Sequence, residues 1–160
     1  MKLTLVLREL HRSEIALARF LLRVAERHRV EHEIYHMAHD LAGWSHRHAA
    51  EIAAAGEMFG VRLSESPAKT TMLAAAVRKE VSELIGRRPA PGLLLVADLR
   101  RIQLKATAVS IDWDLLAQAA QVLREPVLLQ LSQGCHPETL RQIDWANTMV
   151  KQLSPQVLAN

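Results

Sequence analysis

The sequence predicts an all-α protein built as a four-helix bundle. Three observations point there: a composition dominated by leucine, alanine and valine, apolar residues recurring three and four positions apart over long stretches, and prolines and glycines gathered between those stretches. Aromatic residues supply only 4% of the chain, which argues against sheet, where aromatic and β-branched side chains are favoured. At 160 residues the chain has the length of one domain, and a domain of that size buries about 70% of the surface its unfolded form exposes. A single domain over residues 1–160 is therefore expected. Hydrophobic residues at 49% and charged residues at 23% are ordinary for a globular protein and indicate neither wholesale disorder nor a membrane span.

No proline interrupts the chain from Leu3 to about Gly60, so this region is one long helix or a hairpin of two, and the pattern favours the hairpin. Leu3, Leu7, Leu10, Leu17, Leu21 and Val24 form one amphipathic stripe, with Glu14 filling the slot between Leu10 and Leu17. The pattern restarts with Val30, Ile34, Met37, Leu41, Trp44, His48, Ile52, Ala55 and Phe59. The charged stretch ERHRVEHE between the two places the reversal near Arg27 to Glu31.

Ser66 before Pro67 then reads as an N-cap followed by proline at the first helical position. A short helix is expected to run to about Ile85, ended by Gly86 and the run RRPAPG. From Leu95 onward Leu99, Ile102, Ala106, Val109, Trp113, Leu116, Ala120 and Leu123 alternate by fours and threes up to Glu125–Pro126, the cleanest helix in the chain. The last element runs from Val127 to about Leu153. Gly134 and Pro137, in QGCHPE, are expected to break or kink it, and Pro155 to close it. Two long helices, a long crossover containing a short helix, and two further helices give the order of a four-helix bundle with one long connection.

Charge and cysteine usage narrow the setting. The single Cys135 has no internal disulfide partner, in keeping with a reducing compartment. The apolar start MKLTLVL is interrupted by Arg8, Glu9 and Arg12 before it reaches the length of a signal peptide or membrane span, so a cytoplasmic protein with no membrane partner is expected. The net charge of +3 and a pI near 9.4 raise the question of nucleic acid. Arg8, Arg12, Arg19, Arg23 and Arg27 form a stripe opposite the apolar face of the first helix, but Glu9 and Glu26 dilute it and no recognition motif or interleaved aromatic accompanies it. The stripe reads as a solvated face, and nucleic-acid binding is not expected. Homo-oligomerisation stays open.

SEIALARFLLRVAERH followed by LAGWSHRHAAEIAAAGEMFGVRLSES resembles the first hairpin of small ferritin-like stress proteins, over roughly the first 65 residues. The resemblance implies a ferritin-like four-helix bundle with its long crossover between helices two and three. It also implies a metal site in which Glu14 occupies the place of the first helix's ligand and His48 that of the second helix's histidine. Where the family carries a carboxylate before that histidine, this chain has Trp44 and Ser45. The third helix brings no Glu or His to its seam, and the fourth has no Glu-x-x-His. The metal site implied is thus degenerate.

Carboxylate-bridged two-metal sites need a Glu from each of two helices and a Glu-x-x-His from each of the other two. Glu14, in the middle of an apolar stripe, needs a partner because a buried unpaired carboxylate costs several kcal/mol. A metal ion would serve, and so would a hydrogen bond from His48, which falls on the facing seam. Glu33–His36 has the right spacing but lies toward the edge of its stripe. The tract His28, His32, His36, His39, His46 and His48 has one pair, His32–His36, at the spacing that chelates a single ion, yet His32, His39 and His46 point away from the core. Trp44, Trp113 and Trp145 are expected to pack in the core, with Ser, Gln or Asn accepting from their indole N–H groups. Cys135 and His136, on a Gly/Pro-broken segment, are read as loop.

Two functions compete. One is a non-catalytic bundle whose metal site has been replaced by packing and hydrogen bonds, needing no cofactor and leaving stress-related or partner-binding work to its surface. The other is an iron- or manganese-binding protein that uses Glu14 and His48.

Overall fold

The computed structural model describes residues 2–64 and 90–159. Among them are four α-helices and no strand: α1 (Lys2–Arg27), α2 (His32–Met58), α3 (Pro91–Leu123) and α4 (Pro126–Leu158). The short helix expected between Ser66 and Ile85, with its stop at Gly86, lies outside the described residues. Pro91 sits at the first position of α3, where a missing N–H costs nothing, so that helix begins four residues ahead of the expected Leu95.

The side chains that meet across the bundle fix the helix directions. Glu14 of α1 meets His48 of α2, just as the tight turn after Arg27 requires of an antiparallel hairpin. Ser13 meets Asp112 of α3 while Arg27 meets Asp98, so α1 and α3 are antiparallel as well. Arg47 meets Glu138 of α4 and the Leu41 carbonyl meets Gln142, which makes α2 and α4 antiparallel. The four helices close a ring in the order α2–α1–α3–α4.

One apolar core fills the ring. Leu10, Leu17, Leu41, His48, Leu99, Ile102, Val109 and Trp113, all on the predicted seams, are all buried. Val30 and Leu123 were also placed on seams, yet they are 82% and 54% exposed. Each sits where its helix gives way to a turn, and the periodicity of a helix says nothing about side chains beyond its last turn.

The turns are built by local backbone bonds. Val61 N–H reaches back to Gly56 O at 2.9 Å and Gly60 N–H to Glu57 O at 3.1 Å, a Schellman ending in which Gly60 takes the left-handed position with φ of 71°. Gly56 fits closely beneath it: a Cβ there would lie 3.2 Å from Leu63 Cδ1 and 3.3 Å from Val61 O, so these neighbours would have to give by a few tenths of an ångström. The α3–α4 turn repeats the motif with Glu125 N–H on Ala120 O at 2.8 Å, but its left-handed residue is Arg124, φ 56°. Pro126 then opens α4.

α4 departs from expectation. It continues through Gly134 and Pro137 without a break and carries Pro155 inside its last turn, ending at Leu158. A proline in a helix interior costs about 3 kcal/mol. Here Leu128, Ser132 and Cys135 before it and Thr139, Gln142, Ala146 and Met149 after it are all buried along one face, and packing on both sides of Pro137 outweighs the lost hydrogen bond. Cys135 is consequently a core residue of a helix, 2% exposed, and not part of a loop.

Candidate functional site

Glu14 and His48, singled out by the sequence, come together in the middle of the bundle with both side chains fully buried. His48 Nδ1 lies 2.9 Å from Glu14 Oε1, and Trp113 of α3 donates its indole N–H to the same oxygen at 2.8 Å. The His48 and Trp113 rings also meet edge to face, with centroids 6.0 Å apart and planes at 89°. Three helices thus converge on one carboxylate oxygen. The acceptor for Trp113 is a carboxylate and not the Ser, Gln or Asn expected; Trp145 Nε1 is buried without a hydrogen-bond partner among the described residues.

α4 completes the site from the other side. His48 Nε2 lies 3.6 Å from Glu138 Oε1, within reach of an ion pair but too far for a direct hydrogen bond. Both oxygens of Glu138 accept from Arg47. Partial burial pushes the Glu138 carboxyl upward, but the hydrogen bond and charge of Arg47, with His48 behind them, outweigh it and hold the carboxyl below its ordinary value. One turn away, Gln142 Nε2 donates to the Leu41 carbonyl and to Ser45 Oγ, each at 2.9 Å. Cys135 donates weakly to Glu51 at 3.5 Å. Burial first, and the nearby Glu51 charge second, push its thiol well above the usual range, so it stays protonated and a poor nucleophile.

Two features of this arrangement bear on metal binding in opposite senses. Glu14 Oε1 and both oxygens of Glu138 are already engaged by donors. Glu14 Oε2 and His48 Nε2, however, are buried without a hydrogen-bond partner among the described residues. No group of three or more His, Cys, Asp or Glu side chains among the described residues is arranged to hold a metal ion.

A second buried carboxylate was not anticipated. Asp98 of α3, 1% exposed, accepts from His28 Nε2 at 2.8 Å and takes both its oxygens to Arg27 at 2.9 Å. His28 is therefore a core residue and not a member of a solvated histidine tract, whereas Arg27 stays exposed on the arginine stripe while its guanidinium reaches Asp98. Arg8, Arg12 and Arg23 are exposed and Arg19 half-buried. His32, His36 and His46 are exposed, as are Glu33 and His36 of the Glu-x-x-His. His136, grouped with Cys135 in a loop by the sequence, instead meets Ser110 of α3 at 2.7 Å. Asp98 was legible in principle, since it stands three after Leu95 and four before Ile102 on the inward face. Glu138 was hidden by the assumed break at Pro137, which cancels the phase of every later residue.

No known protein family, curated protein or solved structure matches this chain. Among the described residues no helix is long and apolar enough to cross a membrane.

Proposed function

We propose that the chain is a non-catalytic helical bundle of ferritin-like type in which hydrogen bonds occupy the place of a two-metal site. Its work, stress-related or partner-binding, is then left to its surface. The observation that carries this reading is the double occupation of Glu14 Oε1 by His48 and Trp113. One of the two oxygens a divalent ion could use is occupied by two N–H groups, and the next carboxylate, Glu138, is paired with Arg47. The antiparallel pairing of α1 with both α2 and α3 supports the ferritin-like order, because it sets the end of α2 and the start of α3 at opposite ends of the bundle, as a long crossover between helices two and three requires.

A second reading rests on the free buried pair Glu14 Oε2 and His48 Nε2. A metal-bound histidine commonly gives its other ring N–H to a carboxylate, which is the relation His48 Nδ1 has to Glu14. On this reading His48 Nε2 and Glu14 hold iron or manganese.

Elemental analysis of protein purified without a histidine tag and then equilibrated with ferrous or manganous ion separates the two. The first reading expects no stoichiometric metal and no rise in Tm. One bound ion per chain that disappears in His48→Gln would overturn it.

A further inference from the structure

α3 carries two apolar seams, and only one is covered by the described part of the chain. Leu99, Ile102, Ala106, Val109 and Trp113 face the core. Leu104, Ala108, Ile111 and Leu115, spaced four, three and four apart, trace a second line along the same helix, the repeat that packs one helix against another. Leu104, Ile111 and Leu115 are 53%, 56% and 55% exposed, and Ala108 is exposed as well. Apolar side chains aligned in this way mark an interaction surface more than singly scattered ones do.

The charges beside this line are ordered. Arg100, Arg101 and Lys105 lie in its N-terminal half, Asp112 and Asp114 in its C-terminal half. Two of them are placed by their contacts on the edge that borders α1: the Lys105 ammonium sits 5.6 Å from the Phe20 ring centroid, and Asp112 accepts from Ser13 at 2.9 Å.

We infer that this line is the contact face of a two-fold symmetric homodimer in which α3 packs antiparallel on α3 of a second copy. A two-fold interface must be self-complementary, and this face is. Reversing one copy about a point between Val109 and Ser110 sets Leu104 opposite Leu115 and Ala108 opposite Ile111. The same operation keeps the α1 edge of one copy beside the α1 edge of the other, and there Lys105 of each copy comes within about 3 Å, measured along the helix axis, of the level of the other's Asp112, twice. Ala108 at the centre, with its small side chain, allows the backbones a close approach. A parallel pairing would carry the two α1 edges to opposite sides of the interface and bring no Lys105 beside an Asp112. The acidic half of the face likewise disfavours an anionic lipid surface as the occupant. None of this depends on what Glu14 and His48 do.

Sedimentation equilibrium of the full chain over the micromolar range tests the inference, with Ile111→Glu as the variant. Dimer is expected for the parent and at least about tenfold weaker association for the variant, which removes a central contact, while its circular dichroism stays unchanged because Ile111 is exposed in the single chain. Register is tested by mild oxidation. Leu104→Cys mixed with Leu115→Cys should give a disulfide between the two variants. Leu104→Cys alone should not, because its two copies would lie about 16 Å apart at about 1.5 Å per residue, outside disulfide reach. The parent, whose Cys135 is buried, is the control. A parent that stays monomeric would overturn the inference, as it would if another chain or another part of this one covers the line. So would a dimer indifferent to Ile111→Glu, or self-linkage of Leu104→Cys.

Discussion

Asp98 and His28 meet 2.8 Å apart where α3 passes the turn between α1 and α2, and Arg27 holds the same carboxylate from its solvent side. The three side chains tie the hairpin turn to the third helix. Because Asp98 is 1% exposed and Arg27 29%, the cost of removing each partner should be unequal. Asp98→Ala leaves a buried histidine and a half-buried guanidinium without an anion and should cost about 3–5 kcal/mol. Arg27→Gln, on the wet side of the pair, should cost about 1 kcal/mol. Urea unfolding of the two variants checks the order, and equal costs would show that burial of Asp98 is not what matters.

Glu14 and His48 should behave as one unit. Glu14→Gln keeps size and an acceptor oxygen but weakens two charge-assisted bonds, for an expected loss of about 1–3 kcal/mol. His48→Gln should fall in the same range. Since each change removes the same contact, the double variant should be less damaged than the sum of the two by about 0.5–3 kcal/mol. Simple additivity in a thermal-unfolding cycle would mean that the 2.9 Å contact contributes little to the folded state.

Glu138 should make stability depend on pH. Its folded-state carboxyl is held below the ordinary value, so the folded chain binds that proton less readily than the unfolded chain. The resulting stabilisation is fully present above the ordinary glutamate pKa of about 4.3 and is lost as pH falls through the lower folded value. Glu138→Gln has no such group. Parent and variant should therefore differ in denaturant midpoint near neutral pH and converge in acid. A gap that stays constant down to about pH 3 would contradict the assignment.

Pro137 should be a place where stability can be gained. Pro137→Ala restores an N–H that can bond to the carbonyl of Gln133 and removes the ring that crowds it, and the helix is already continuous there. An increase of about 1–2 kcal/mol is expected once the proline's stiffening of the unfolded chain is subtracted. A destabilised variant would mean that the local distortion positions Cys135 or Glu138 in a way the rest of the helix relies on.

The first hairpin and the core face of α3 were legible because their apolar residues keep a helical period over many turns with no proline inside. Glu14 and His48 stood out for the same reason: each is a polar residue on an otherwise apolar seam, and burial forces such residues to find one another. Asp98 did not stand out because Leu99 beside it satisfied the pattern first. α4 was misread at Pro137 because local propensity weighs the ring and the missing N–H but not the buried side chains on either flank. The pairing of Arg47 with Glu138 could not be read at all, since both positions look like solvent-facing charges until α2 and α4 are set side by side.

Trp113 gives the buried carboxylate an optical signature. Its indole is bonded to Glu14 and its ring meets the His48 imidazole edge on, whereas Trp44 and Trp145 are only half buried. An excited indole is quenched far more strongly by a protonated imidazole than by a neutral one, and an external quencher such as acrylamide reaches the two half-buried rings first. The emission that survives acrylamide therefore comes from Trp113, and its intensity reports the charge on one histidine in the core without any label being attached.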